Sequence, residues 1–152
     1  MKAFLLALVI FPVALLAHEG MHLVVLVGLG GHGDLIIRSW QLALADASLP
    51  AFHVTGGDAL DPGRHLLFEF GGPALAAVPL AILAWQARPG AVRSALVANV
   101  AILAFFALLE PGYELLERGF TPPAFLIWPE FNYGVPLLLM LVFALRLRRA
   151  RA

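Results

Sequence analysis

The sequence predicts an all-α integral membrane protein with about four transmembrane helices and a short surface hairpin or loop after the first helix. Of its 152 residues, 61% are hydrophobic and only 13% are charged, whereas a soluble domain has roughly 25% charged residues. The mean hydropathy is correspondingly high, at +0.89. The apolar residues fall into four long segments. A chain of this length is expected to form one domain, here 1–152.

Composition also excludes several classes of function. The chain has no cysteine, which excludes disulfides, thiolate metal ligands and a cysteine nucleophile. The formal net charge is zero at pH 7, and basic residues cluster only in the C-terminal tail RLRRARA. No nucleic acid partner is therefore expected. The lipid bilayer is the expected environment.

The first apolar segment covers roughly 3–29 and includes the stretch LLAHEGMHLVV. From Ala3 to Gly31 its only polar side chains are His18, Glu19 and His22. A run of this length is too long for the core of a signal peptide and fits a spanning helix, for which about 20 residues suffice. The alternative is a signal peptide cleaved before His18.

The remaining apolar segments cover about 65–85, 92–116 and 124–145. The last of them is interrupted by Pro129, Glu130, Asn132 and Pro136. Such interruptions are tolerated at membrane depth only where the backbone is buried in protein or lines a cavity. The pattern is compatible both with a re-entrant piece over 120–133 and with the first half of a kinked helix.

A polar connection rich in Gly, Asp and Ser separates the first two segments. Within it, DLIIRSWQLAL places Arg38, Trp40 and Leu42 on one face of an alternating pattern. This alternation predicts a strand or hairpin over 35–44 at the membrane surface. In GGDALDPG, Asp58 and Asp61 are expected to be turn residues. The three histidines in or beside this connection are expected at the protein surface: His32, His53 and His65.

Basic residues predict the orientation. Arg88 and Arg93 flank the connection between the second and third segments, and the C-terminal tail carries four arginines. The positive-inside rule places both regions in the cytoplasm, together with Lys2. The prediction is a multi-pass protein of the cell membrane with four spans and both termini inside.

The motif His18-Glu19-Gly20-Met21-His22 in the first segment matches H-E-x-x-H. On an α-helix, residues i and i+4 share a face one turn apart, so both imidazoles can reach one ion. Glu19 points about 100° away, near enough to act as a general base toward a metal-bound water. Zn²⁺ suits two neutral imidazoles, a third protein ligand and a water.

The same motif could also arise without a metal. It could occur by chance, or the histidines could pack helices by bonding to backbone or to each other. The position of these residues within an apolar segment argues against both explanations, because ionisable residues at membrane depth are costly and usually mark function. Three such residues within five positions favour a metal site.

Counting residues along the segments indicates where a third ligand lies. His18 is 17 residues from the inner end of the first segment, about 25 Å at 1.5 Å per residue. Glu110 is also 17 residues from the inner end of the third segment, and Glu69 is 19 residues from that of the second. All three side chains are therefore expected in one layer in the outer half of the membrane.

Glu110 is the leading third ligand. Pro111 follows it directly, and such a break can open the helix and aim the carboxylate inward. Glu114, one turn further on, is the nearest competitor. For Glu69 and Glu130 the sequence leaves three alternatives. They could be metal ligands, hydrogen-bond partners of the histidines, or parts of a proton path.

The arrangement of motifs resembles the site-2 protease family of intramembrane zinc metalloproteases. That family also carries H-E-x-x-H in a membrane segment. Here GGPALAA at 71–77 is similar to its A-G-P-x-x-N motif. Asn99 and the run ILAFFALLEPG resemble the stretch that leads to its L-D-G motif, with Leu109-Glu110-Pro111-Gly112 in that place. The likeness covers most of 15–115.

The resemblance implies a role for each of four site residues. His18 and His22 would be zinc ligands, and Glu19 would be the catalytic base. Glu110 would replace the family's aspartate ligand. The chemistry would then be attack on a carbonyl by a water that the metal activates, with the metal stabilising the developing oxyanion.

The resemblance also implies that the segment 35–44 presents the substrate. Its residues Arg38, Trp40 and Leu42 would belong to a hairpin that pairs with an unwound substrate strand. The leading hypothesis is a zinc-dependent intramembrane endopeptidase that hydrolyses peptide bonds of membrane-spanning substrates. The alternatives are a membrane zinc hydrolase acting on a lipid amide or ester, a non-catalytic metal-binding or transport protein, and a structural membrane protein with packing histidines.

Overall fold

The computed structural model describes residues 2–42, 45–117 and 134–142, and for 38–42, 45–51 and 117 it describes the backbone alone. The elements are α1 (Lys2–Gly28), β1 (Leu35–Leu42), β2 (Ala45–Val54), a 3-10 turn (Gly57–Ala59), α2 (Pro62–Gln86) and α3 (Ala91–Glu117). Residues 134–142 are also helical. The predicted mainly helical fold is confirmed.

Three helices are long and apolar enough, by length and composition, to cross a membrane: α1, α2 and α3. Their bounds match the predicted segments to within three residues at either end. Large apolar side chains stay exposed on them, including Val9 at 72%, Leu108 at 74% and Trp85 at 87%. Apolar patches of this kind are uncommon on water-soluble monomers. The pattern is compatible with a multi-pass membrane protein.

The predicted fourth segment, 124–145, is described only in part. Its residues 134–142 are helical, and Met140 packs into the core formed by α1 and α3. The remainder of that segment, Glu130 and the two alternatives for 120–133 lie outside the described residues.

Local signals explain where α1 ends and α2 begins. After α1, Gly30 adopts a positive φ of 82°, and the Gly31 N–H donates to the Leu26 carbonyl over 2.9 Å, as in a Schellman end. The carboxylate of Asp61 accepts from two backbone N–H groups at the start of α2. With Pro62 at the first helical position, α2 begins three residues before the predicted 65.

The predicted strand over 35–44 is present as β1, which pairs with β2 in an antiparallel two-stranded sheet. The sequence did not outline β2, because Pro50 weakens the pattern of a strand. Pro50 lies opposite Ser39 in the register. At the base of the hairpin, buried Val54 packs against α1 and α2. The side chains of Arg38, Trp40 and Leu42 lie outside the described residues, so their role stays a prediction.

Two polar contacts show that α1 and α3 run parallel. Asn99 Nδ2 donates to the Ala7 carbonyl over 3.2 Å. Nearer the other end, His18 Nε2 lies 3.2 Å from Glu110 Oε2. Both pairs are separated by 92 residues in sequence, so the two helices advance together in the same direction. This register places α3 beside the histidine face of α1.

The helix α2 runs antiparallel to α1 and completes the bundle. Leu26, near the end of α1, packs with Phe68, near the start of α2. Ala14, in the middle of α1, packs instead with Ala76 and with Leu103 of α3. Small residues at these crossings let the helix backbones approach closely, as in membrane bundles.

Candidate metal centre

Two buried histidines of α1 begin the site. His18 and His22 are 2% and 4% exposed, and their spacing of four residues stacks them on one helix face. Their Nε2 atoms lie 2.8 Å apart. The two imidazoles therefore converge on one point.

A carboxylate of α3 completes the group. Glu110 Oε2 lies 3.1 Å from His22 Nε2 and 3.2 Å from His18 Nε2. The structure thus brings together the two motif histidines and the glutamate that depth counting favoured. Because α1 and α3 are parallel, equal distances from the same end of the bundle become equal heights.

These three side chains could hold a metal ion, since all their ligand atoms lie within 4.8 Å of one another. In a tetrahedral zinc site with bonds of 2.0–2.1 Å, neighbouring ligands are about 3.3 Å apart. The observed separations of 2.8 to 3.2 Å are close to that edge length. Three protein ligands leave one tetrahedral position open for a water or a substrate.

Packing holds the two imidazole rings in place. The ring of His22 lies against Phe68, with centroids 4.7 Å apart, and against Gly72 on α2. The ring of His18 lies 5.5 Å from that of Phe106. Among the described residues, neither Nδ1 atom has a hydrogen-bond partner. Ligand histidines usually gain their orientation from such a partner; here the ring contacts supply it.

If the group binds a metal ion, we expect Gly72→Ala to weaken that binding at least tenfold, within the roughly 10–100-fold range for lost outer contacts. A Cβ at this position would overlap the imidazole of His22 and push it away from Glu110. The control is Gly20→Ala, inside the motif itself, where an added Cβ meets nothing within 4 Å. Zinc titration of the purified variants checks this. Equal zinc affinities of the Gly72→Ala and Gly20→Ala variants would contradict the contact between Gly72 and the His22 ring.

Glu19 lies beside the group and faces a cavity of about 260 Å³. The cavity is also lined by His18, Glu110 and Tyr113, so two of the three donors border open space. Glu19 also lies near enough to Glu110 for the charges of the two carboxylates to interact. A substrate group in the cavity would therefore meet the metal position and a carboxylate together.

The other two described carboxylates that competed as ligands contact a different histidine. His65 Nε2 lies 3.1 Å from Glu69 Oε1, and His65 Nδ1 lies 3.5 Å from Glu114 Oε1. The expectation of a surface position for His65 is wrong, since its side chain is 14% exposed. His32 and His53 are exposed as expected. Glu69 still lies near enough to Glu110 for the charges of the two carboxylates to interact.

Sequence reasoning missed the places of Phe106 and Tyr113 in the site, and also the contacts that Phe68 and Gly72 of α2 make with His22. Helical spacing could have found the first two, because they precede and follow Glu110 by about one turn on the same face. The contact of Gly72 could not be found in this way, since it depends on how α2 crosses α1.

Comparisons with known proteins add no relative: no family model, curated protein or solved structure matches the chain. The resemblance to site-2 proteases therefore stays a prediction.

Proposed function

We propose that the chain is a zinc-dependent intramembrane endopeptidase. The observation that carries this proposal is the convergence of His18, His22 and Glu110 beside a cavity that Glu19 also lines. Two imidazoles, a carboxylate and a neighbouring glutamate are the groups that a zinc hydrolase requires. The order of motifs in the sequence supports the same assignment.

The proposed location is the membrane. Three helices of sufficient length and hydropathy surround the group, and their outward faces carry exposed apolar side chains. Ionisable groups at such depth are costly and usually serve function. A substrate reaching this cavity would then be a membrane-spanning segment that has unwound locally.

A bound zinc ion would supply a Lewis acid that activates a water near neutral pH and polarises a carbonyl. The carboxylate of Glu19 accepts a proton from the attacking water and passes it to the leaving nitrogen. A C–O bond forms and the peptide C–N bond breaks. His18, His22 and Glu110 hold their donor atoms in place through the ring contacts and the register of α1 and α3.

Metal removal tests the proposal. Purified protein in lipid vesicles is expected to cleave a synthetic membrane-spanning peptide, with products identified by mass spectrometry. A zinc chelator should abolish cleavage, and added Zn²⁺, but not Mg²⁺, should restore it. Cleavage that persists in the chelator would contradict the proposal. Zinc-dependent hydrolysis of a lipid amide or ester, without peptide cleavage, would favour the lipid hydrolase instead.

A further inference from the structure

The residues that form the wall of the cavity beside the metal group can be placed by their height along α1 and α3. Because α1 and α3 are parallel, positions along each helix give heights in the bundle. Leu15 and Phe106 line the cavity about one helical turn before His18 and Glu110, and Tyr113 lines it about one turn after Glu110. Leu109, directly before Glu110, also lines the cavity, so the apolar lining lies at and before the level of the metal group and Tyr113 lies beyond it.

The apolar part of this wall is firmly held. Phe106 is 7% exposed and belongs to the buried core that joins α1 and α3. Leu15 and Leu109 pack against the same core. Such a wall is pre-formed, and a polar or charged side chain placed against it would lose its hydration without gaining a partner.

The cavity is small and open on one side. Its 260 Å³ is below the roughly 300–1,000 Å³ of pockets that enclose drug-sized ligands. This space fits one side chain and its carbonyl better than a complete fatty acyl chain. The carbonyl would be placed at the metal level, next to Glu19.

We propose that Leu15, Phe106 and Leu109 form a specificity pocket for one large apolar side chain adjacent to the scissile carbonyl. The proposal deepens the endopeptidase assignment and rests on it. It names the substrate class as segments with a residue such as leucine or phenylalanine next to the cleaved bond.

Binding of amino-acid hydroxamates tests the pocket without requiring turnover. The hydroxamate group chelates zinc and brings its side chain to the cavity. By calorimetry on zinc-loaded protein, N-acetyl-leucine hydroxamate is expected to bind about tenfold tighter than the glycine compound, the lower end for apolar pockets. The aspartate compound should bind no better than glycine.

Two neighbouring leucines supply a matched pair of variants. Leu109→Phe fills the cavity and should remove most of the preference for leucine over glycine. Leu108→Phe makes the same change on a side chain that is 74% exposed and should keep the preference. Leu109→Ala enlarges the cavity and should favour the phenylalanine compound, so that the test does not depend on one variant.

The outcomes separate this proposal from the proposed function. Equal binding of the leucine and glycine compounds, with chelator-sensitive peptide cleavage intact, would overturn the pocket and leave the endopeptidase. Tightest binding by a long-chain fatty acyl hydroxamate would overturn the pocket in favour of a lipid chain. Absence of any zinc-dependent hydroxamate binding would overturn both.

Discussion

Wild-type protein purified in detergent is expected to carry about one zinc ion per chain, and both His22→Ala and Glu110→Ala are expected to carry almost none. Each variant removes one of the three donor atoms that lie within 3.2 Å of each other. Loss of a direct ligand should exceed the roughly 10–100-fold cost of losing an outer partner. Inductively coupled plasma mass spectrometry gives the zinc content directly.

The neighbouring cluster supplies matched controls for this measurement. His65→Ala and Glu114→Ala remove the same side-chain types from α2 and α3, where His65 Nδ1 and Glu114 Oε1 lie 3.5 Å apart. Both should keep zinc. If Glu110→Ala also kept it, Glu110 would not be a ligand, and the next residues to test would be Glu114, Glu69 and Glu130. Absence of metal from the wild type would favour a hydrogen-bonded group of packing histidines.

The helices were predictable because their signal is local. An apolar run of more than about 20 residues predicts a spanning helix wherever it lies, and α1, α2 and α3 follow such runs closely. The partner strand β2 was not predictable in the same way, since Pro50 disrupts its pattern. Strand pairing is a relation between two segments, and only one of them carried a clear alternation.

The same distinction between local signals and relations between segments applies to the residues of the candidate site. His18, Glu19 and His22 form a contiguous motif, and a helix alone brings the two histidines together. Glu110 could be favoured because depth counting works when two helices run parallel, as α1 and α3 do. Counting residues gives the height of a side chain along the bundle but not the direction in which it points around its helix. It therefore could not show that Glu69 faces His65.

The packing of α2 against α1 accounts for the contacts of His22 that counting residues could not predict. The imidazole of His22 fits between Phe68 and Gly72, which are contributed by α2. No property of α1 alone indicates this contact. A glycine inside a helix costs roughly 0.5–1 kcal/mol relative to alanine, and at Gly72 that cost is offset by the space that the His22 ring requires. The GGP stretch is therefore part of the site although it donates no atom to it.

Glu19→Gln is expected to lower peptide cleavage by about 10²–10⁴-fold, the usual contribution of a general acid–base group, while zinc content stays unchanged. Glutamine keeps the size of the side chain in the cavity but cannot accept the proton of the attacking water. The control is Glu69→Gln, which removes a nearby charge at a residue paired with His65 and should retain most of the turnover. Equal turnover in wild type and Glu19→Gln, with zinc bound in both, would rule out Glu19 as the base. Chelator-sensitive metal uptake that survives Glu19→Gln, without cleavage by either protein, would favour a metal-transport role for the same three ligands.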